Sequence, residues 1–170
     1  MKHILKFYMI VASMLFIQAA YAENPSVISK LTANRVEVIA GKEVLKAATQ
    51  VKPGDVIEYK TVYTNVGKAA VNQVVATLPI PLGTGLLAGS AKPANALASL
   101  DGINFRPVPL MHDVKLQDNT VKKEPVPLIE YRALRWELGA IGPNKNAEVS
   151  LRTQVTPALG STSVKPKNNQ

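Results

Sequence analysis

Apolar and polar residues alternate along several short segments of the chain, which is the pattern of β-strands with one wet face. The clearest segment follows the Pro53-Gly54-Asp55 turn, and its even-numbered face, with Glu58 and Lys60, is predicted to be solvated. Residues 134–138 and 147–155 repeat the alternation. The apolar faces of these segments predict a core that contains Ile57, Tyr59, Tyr63, Leu134, Trp136, Val149 and Leu151.

Turn residues divide the rest of the chain into further short segments. Strands are predicted over residues 27–31, 35–39, 43–47, 71–78 and 86–91. Residues 97–100 and 103–106 are predicted to form a hairpin around Asp101-Gly102, a dipeptide that suits a two-residue turn. Asn65 and Gly67 predict a corner, because both residue types tolerate a positive φ. Seven to nine strands without a helical period predict an all-β sandwich.

The pattern dissolves between Pro107 and Glu130, where prolines and charged residues predominate. No apolar period of 3.6 residues persists there, so a long crossover is predicted instead of a helix. Long loops often carry function. This one is a possible partner-binding loop, and its candidate residues are His112, Asp113, Lys122 and Lys123.

The first 22 residues have the three parts of a bacterial signal peptide: a basic start, an apolar run and the small-x-small ending Ala20-Tyr21-Ala22. The alternative is a membrane anchor, but the run Phe7 to Ile17 is shorter than the roughly 20 residues that span a bilayer. We therefore expect cleavage after Ala22, no membrane span afterwards and a periplasmic or secreted product. The predicted domain covers residues 23–156, and the polar segment 157–170 is predicted to be a disordered tail.

The chain carries a net charge of +8, from 20 basic and 12 acidic residues, and contains no cysteine. Cleavage would remove only Lys2 and Lys6, so the mature part stays basic. Its cations are scattered along the sequence, which does not favour nucleic-acid binding. Solubility, or attraction to an acidic envelope polymer, is the expected consequence. Without disulfides, stability must come from packing.

Few residues suit catalysis or metal binding. His112 is the one histidine after the predicted cleavage site, and no nucleophile elbow lies near it. A loose calcium site at Asp113 and Asp118 is the only metal alternative, because the Asp-x-Asp-x-Asp-Gly pattern is missing. We expect no enzyme activity, no cofactor and no metal.

Several motifs occur in the order typical of one family. Val51-Lys52-Pro53-Gly54-Asp55 leads to Asn65-Val66-Gly67, and Leu134-Arg135-Trp136-Glu137-Leu138-Gly139 leads to Ile141-Gly142-Pro143. Over about residues 51–155 the chain resembles the DUF11 repeat family of bacterial envelope modules. The resemblance implies an immunoglobulin-like fold and an architectural role for the matched residues. Ala76-Thr77 and Asn144 depart from the family pattern, and the chain has room for a single copy where relatives often carry several.

These observations lead to one expected function and two alternatives. We expect an exported, non-enzymatic binding or structural module of the cell envelope that contacts an envelope protein or acidic polymer through the long loop or an open sheet edge. The first alternative is a small periplasmic chaperone-like factor. The second is a hydrolase that uses His112.

Overall fold

Eleven β-strands and one short 3₁₀ helix form the protein in a computed structural model that describes residues 26–157. The predicted signal peptide and, apart from Pro157, the predicted tail lie outside the described residues. The strands are β1 (Val27–Ile39), β2 (Lys42–Ala47), β3 (Val56–Asn65), β4 (Val71–Pro79), β5 (Thr84–Leu86), β6 (Leu97–Ser99), β7 (Arg106–Pro107), β8 (Met111–Lys115), β9 (Val121–Pro125), β10 (Ala133–Ile141) and β11 (Asn146–Val155). The 3₁₀ helix covers Leu128–Glu130.

The strands form two main antiparallel sheets, which confirms the all-β prediction and is consistent with a β-sandwich. One sheet has the order β2-β1-β3-β11-β5, and the other has the order β4-β10-β6-β7. Strands β8 and β9 pair only with each other, as a separate two-stranded sheet. The two main sheets hold nine strands together, within the predicted seven to nine. The pair β8–β9 comes in addition, from a segment of prolines and charges that shows no period.

The core lies between the two main sheets. Trp136 and Leu134 of β10 are buried against Leu151 and Val149 of β11, and Ile57 of β3 is also buried. The indole N–H of Trp136 donates to the Pro93 carbonyl oxygen at 2.7 Å, so this polar atom is satisfied. Tyr59 and Tyr63 lie on the expected face of β3 and pack against the core, but they are only half-buried.

The prediction that the even-numbered face of β3 is solvated is partly wrong. Glu58 is buried, and its carboxylate accepts from Nε of Arg152 at 2.9 Å. The two terminal nitrogens of the same guanidinium donate to Glu43 at 2.9 and 3.0 Å. One arginine of β11 thus joins carboxylates of β2 and β3 across the outer face. A charge pattern alone does not distinguish such a network from a hydrated face.

Three predicted segments differ from the observed ones. Residues 27–39 form one strand, because Thr32 and Asn34 continue the ladder with β3 that the sequence pattern interrupts. The strand predicted over residues 86–91 is instead β5, which ends at Leu86 before a turn with Gly89 at φ +66°. The Asp101-Gly102 turn is a longer loop between β6 and β7 (residues 100–105), in which Gly102 has a positive φ but Asp101 does not.

Asn65 closes the β3–β4 corner for a reason other than the predicted one. Neither Asn65 nor Gly67 has a positive φ. The buried Asn65 amide donates to the carbonyl oxygens of Ala69 and Ile141, both at 2.8 Å, and accepts from the Gly67 N–H at 2.9 Å. A Cβ at Gly67 would lie 3.1 Å from the Asn65 amide oxygen. This corner therefore depends on a side-chain hydrogen-bond network and on a close approach.

Candidate binding surfaces

The predicted loop residues lie on a projecting β-hairpin, residues 111–125, here called the arm. The crossover prediction was therefore wrong in its local structure. Asp113 pairs with Lys123, and His112 pairs with Glu124. Because successive side chains of a strand point to opposite faces, Asp113 and Lys123 share one face, whereas His112 and Lys122 share the other. The four candidate residues do not converge on one site.

The arm is anchored in the core at its base. Leu110 and Val126, the residues just before and just after the arm, are buried and joined by a backbone hydrogen bond of 2.8 Å. The fully buried Tyr131 accepts the Leu110 N–H through its hydroxyl oxygen, also at 2.8 Å. Apart from its half-buried Val114 and Glu124, the arm itself is exposed. Its base is thus fixed while its two faces are open to solvent.

The charges of the arm balance each other. It contains three lysines and three carboxylates, and Lys122 forms an ion pair with Glu124 at 3.2 Å. At the tip, Asp118 accepts both the N–H and the hydroxyl of Thr120, at 3.0 and 2.6 Å, which lowers the pKa of this aspartate. Asp118 is therefore engaged in its own turn. The arm offers no excess of positive charge to an acidic polymer.

The geometry of His112 bears on the hydrolase alternative. His112 and Asp113 are neighbours in the sequence but point to opposite faces of β8. A histidine base and the carboxylate that orients it must lie within hydrogen-bond distance, so this pair does not form such a dyad. Among residues 26–157, no group of three or more histidines or carboxylates is placed to hold a metal ion.

The second candidate surface is the free edge of β1, residues 27–33, here called the open edge. Strand β1 pairs with β3 over residues 27–36, but β2 covers only residues 34–39 on its other side. The Ser26 carbonyl oxygen accepts from Val66 on the β3 side, whereas the Ala33 carbonyl oxygen accepts from Ala48 on the β2 side. Since strand residues alternate in direction, the backbone groups of Ser29 and Leu31 point away from β3, and no strand among residues 26–157 pairs with them.

The other sheet edges among the described residues are shorter or interrupted. Strand β4 is broken by Gln73, at φ +55°, and by a register shift opposite Gly139. Strand β7 has two residues, one of them a proline, and the side chain of Ile129 lies against Gly85 of the three-residue β5. Strand β2 has six residues and carries Lys42, Glu43 and Lys46. Short length, bulges and charges are the usual protection of a sheet edge, and the open edge has only Lys30.

An apolar groove continues from the inner side of the open edge. Ala33 lines it together with Ile57 and Tyr59, and its volume is about 740 Å³. The opposite wall includes Leu82, which is 82 % exposed, and Ile129. Leu31 lies on the same face of β1 as Ala33 and is 57 % exposed. Exposed apolar side chains next to unpaired backbone groups are a feature of binding surfaces.

Arg35 and the charged residues around it are paired, in contrast to Lys30. Arg35 forms ion pairs with Glu37 and, at 3.7 Å, with Asp55, and Lys46 reaches Glu37 at 2.7 Å. Hydrogen bonds from Lys46 and Arg35 hold the pKa of Glu37 below its usual range. Within residues 26–157, the Lys30 ammonium has no carboxylate within 4 Å. The open edge thus carries one uncompensated positive charge on its outer side.

No protein-family model, curated protein or solved structure matches the chain. The resemblance to the DUF11 repeat family therefore stays a prediction. In the part of the chain that the structure describes, no helix is long and apolar enough to cross a membrane.

The sequence predicts an open sheet edge without its position, and it gives little sign of the anchor of the arm. The edge depends on how far β2 extends along β1, which no pattern within β1 encodes. Tyr131 lies in an irregular segment after the 3₁₀ helix, where periodicity has no meaning. The residue type of Tyr131 is the only signal, because a tyrosine in such a segment often has a buried ring and a hydrogen-bonded hydroxyl.

Proposed function

We propose that the chain is an exported, non-enzymatic binding module of the bacterial cell envelope, and that it binds its partner by strand addition at the open edge. The observation that carries the proposal is the row of backbone groups at Ser29 and Leu31 that no described strand pairs, beside a groove of about 740 Å³. Seven residues of edge extend over about 23 Å, enough for a peptide strand. An immunoglobulin-like sandwich of the DUF11 type is the proposed framework.

The open edge is favoured over the arm as the contact surface. An added strand would gain main-chain hydrogen bonds along β1, and its alternate side chains would cover Leu31 and Ala33. The arm already pairs its own backbone groups between β8 and β9, and its charges balance. The two outer edges of the arm also carry backbone groups that no described strand pairs, but each edge is only five residues long and charged. Short, charged edges are poor templates for an added strand, so β1 is the better one.

Export to the periplasm or beyond is supported by the signal-peptide pattern of residues 1–22. Expression of the full chain followed by cell fractionation tests it. We expect the mature protein in the periplasm or medium, with Glu23 as its first residue. Full-length protein retained in the cytoplasm would contradict export without bearing on the edge.

A proline substitution tests the edge itself. Ser29→Pro removes a backbone N–H that points away from β3, so the β1–β3 ladder keeps its hydrogen bonds. Ser29→Thr is the matched control, because it keeps the N–H and favours the strand. Both variants should show the same buried Trp136 fluorescence as the native protein. We expect envelope proteins that cross-link to the native chain and to Ser29→Thr to be lost with Ser29→Pro.

Retention of the same cross-linked partner by folded Ser29→Pro would overturn strand addition at this edge. Deletion of the arm tip, residues 116–120, serves as the reciprocal variant. Loss of the partner in this deletion and not in Ser29→Pro would assign binding to the arm.

The groove favours a second candidate function, a small chaperone-like factor. Its apolar walls could shelter a side chain of an incomplete subunit while β1 supplies the missing strand. A chaperone releases its client, whereas a binding module keeps its partner. Suppression of aggregation of an unfolded envelope protein, with release on folding, would favour the chaperone, and a stable stoichiometric complex would favour the module.

A further inference from the structure

The side chains along the open edge restrict what can pair with it. Ile28, Lys30 and Thr32 project from the outer face of β1, whereas Ser29 and Leu31 share the inner face with Ala33. An added strand places its own side chains about 4.5–5.5 Å from those directly opposite. Each face of β1 therefore selects one set of alternate residues in the partner.

Lys30 selects for negative charge on the outer face. Its direct neighbour on β3 is the uncharged Val62, and its nearest diagonal lysine, Lys60, lies 3.4 Å from Glu148. No carboxylate among the described residues pairs with Lys30, so a partner carboxylate opposite it would neutralise its charge. An opposite-charge pair across two strands is favourable, and a like-charge pair is unfavourable.

Leu31 selects for apolar side chains on the inner face. It is 57 % exposed, and it lies on the same face of β1 as Ala33, which lines the groove. An apolar residue beside it would continue the lining of the groove that starts at Ala33. Removing this surface from water stabilises the complex.

A second copy of this chain fits the edge poorly. In an antiparallel twofold pair that uses all of residues 27–33, the symmetry axis passes through residue 30, and the two Lys30 side chains lie directly opposite each other. Shifting the axis to residue 29 or 31 shortens the paired segment to about five residues. The full register therefore sets like charges together, and the other registers lose part of the edge.

On this basis, which rests on the proposed function, we propose that the partner is an extended segment of another envelope protein in which an acidic residue is flanked on both sides by apolar residues. The acidic residue lies opposite Lys30, and the apolar ones face the groove side of the edge. Main-chain hydrogen bonds to Ser29 and Leu31 supply the affinity that is common to all sequences. The acidic residue supplies the selectivity.

Synthetic nine-residue peptides of alternating Val and Thr, with Glu, Gln or Lys at the central position, test this. Binding to the ¹⁵N-labelled mature protein is followed through the backbone amide shifts of Ser29 and Leu31, at low and high salt. We expect the Glu peptide to bind about 1.4- to fivefold tighter than the Gln peptide and the Lys peptide weaker than both, since such cross-strand pairs contribute about 0.2–1 kcal/mol. High salt should reduce the differences.

A charge reversal completes the design. Lys30→Glu should reverse the order of the Glu and Lys peptides, whereas Lys115→Glu, which makes the same change on the arm, should preserve it. Edge shifts with equal affinities for all three peptides would overturn the acidic partner and leave strand addition in place. No edge shifts with any peptide would count against strand addition itself. A concentration-dependent dimer of the native chain that Ser29→Pro abolishes would replace the proposed partner with a second copy.

Discussion

Asn65 provides the sharpest test of how the sandwich is held together. Its side chain is completely buried, and its amide joins three chain segments through three hydrogen bonds. Asn65→Ala removes all three. The bond to the buried Ile141 carbonyl is the most costly to lose, because that oxygen has no ready access to water.

We expect Asn65→Ala to lower the free energy of unfolding by about 3 kcal/mol. An unsatisfied buried carbonyl costs about 1–3 kcal/mol, and each of the two part-buried bonds, to Ala69 and from Gly67, contributes about 0.5–1.5 kcal/mol. Asn65→Asp should be at least as destabilising at neutral pH. It keeps an acceptor for the Gly67 N–H, but it directs a carboxylate oxygen at two carbonyl oxygens.

Urea unfolding followed by fluorescence measures the effect directly. The chain has one tryptophan, and Trp136 is 1 % exposed, so its emission reports the loss of the core. The control is Asn72→Ala, an exposed asparagine of β4 that should change the free energy of unfolding by less than about 0.5 kcal/mol. If Asn65→Ala is as stable as this control, the hydrogen bonds of Asn65 do not stabilise the fold.

Two further predictions concern a buried hydroxyl and a loop carboxylate. Thr153 is completely buried, and within the described residues its hydroxyl oxygen has no hydrogen-bond partner. Thr153→Val should therefore raise the unfolding free energy by about 1 kcal/mol, and a lower urea midpoint would contradict this. Hydrogen bonds from the Asn104 N–H and side-chain amide, the Ile103 N–H and the Ser99 hydroxyl lower the pKa of Asp101 well below the usual value of about 3.9. The folded state then binds fewer protons than the unfolded state, so this contribution is present above about pH 4 and is lost as the pH falls through the folded pKa. Asp101→Asn should flatten the acid limb of the stability–pH curve, and an unchanged limb would show that the loop does not depend on this charge.

The predictions from sequence are correct where one face of a strand is apolar. They are wrong where the environment of a residue depends on a contact with a residue far away in the sequence. Alternation in residues 147–155 is sufficient to place β11, because a one-residue slip would expose Leu151. Glu58 looked solvated because its partner Arg152 is 94 positions away. The hairpin of the arm lacks an apolar face on either side, so no period marks it. Such features depend on distant contacts and not on local pattern.

The position of the open edge could not be predicted for a similar reason. Residues 27–33 alternate like any other strand, and among the described strands it is the short length of β2 that leaves them uncovered. The candidate residues of the arm were identified from composition and length. Composition does not show that His112 and Asp113 point in opposite directions, because that depends on whether the segment is extended.

The way the arm is attached has a consequence for how this molecule can change. Leu110 and Val126 leave the core side by side, so everything between them begins and ends at the same place. The span between the two attachment points does not depend on how many residues the hairpin contains. Insertions, deletions or a reporter group near Asn119 alter the reach of the hairpin and leave the two packed sheets undisturbed.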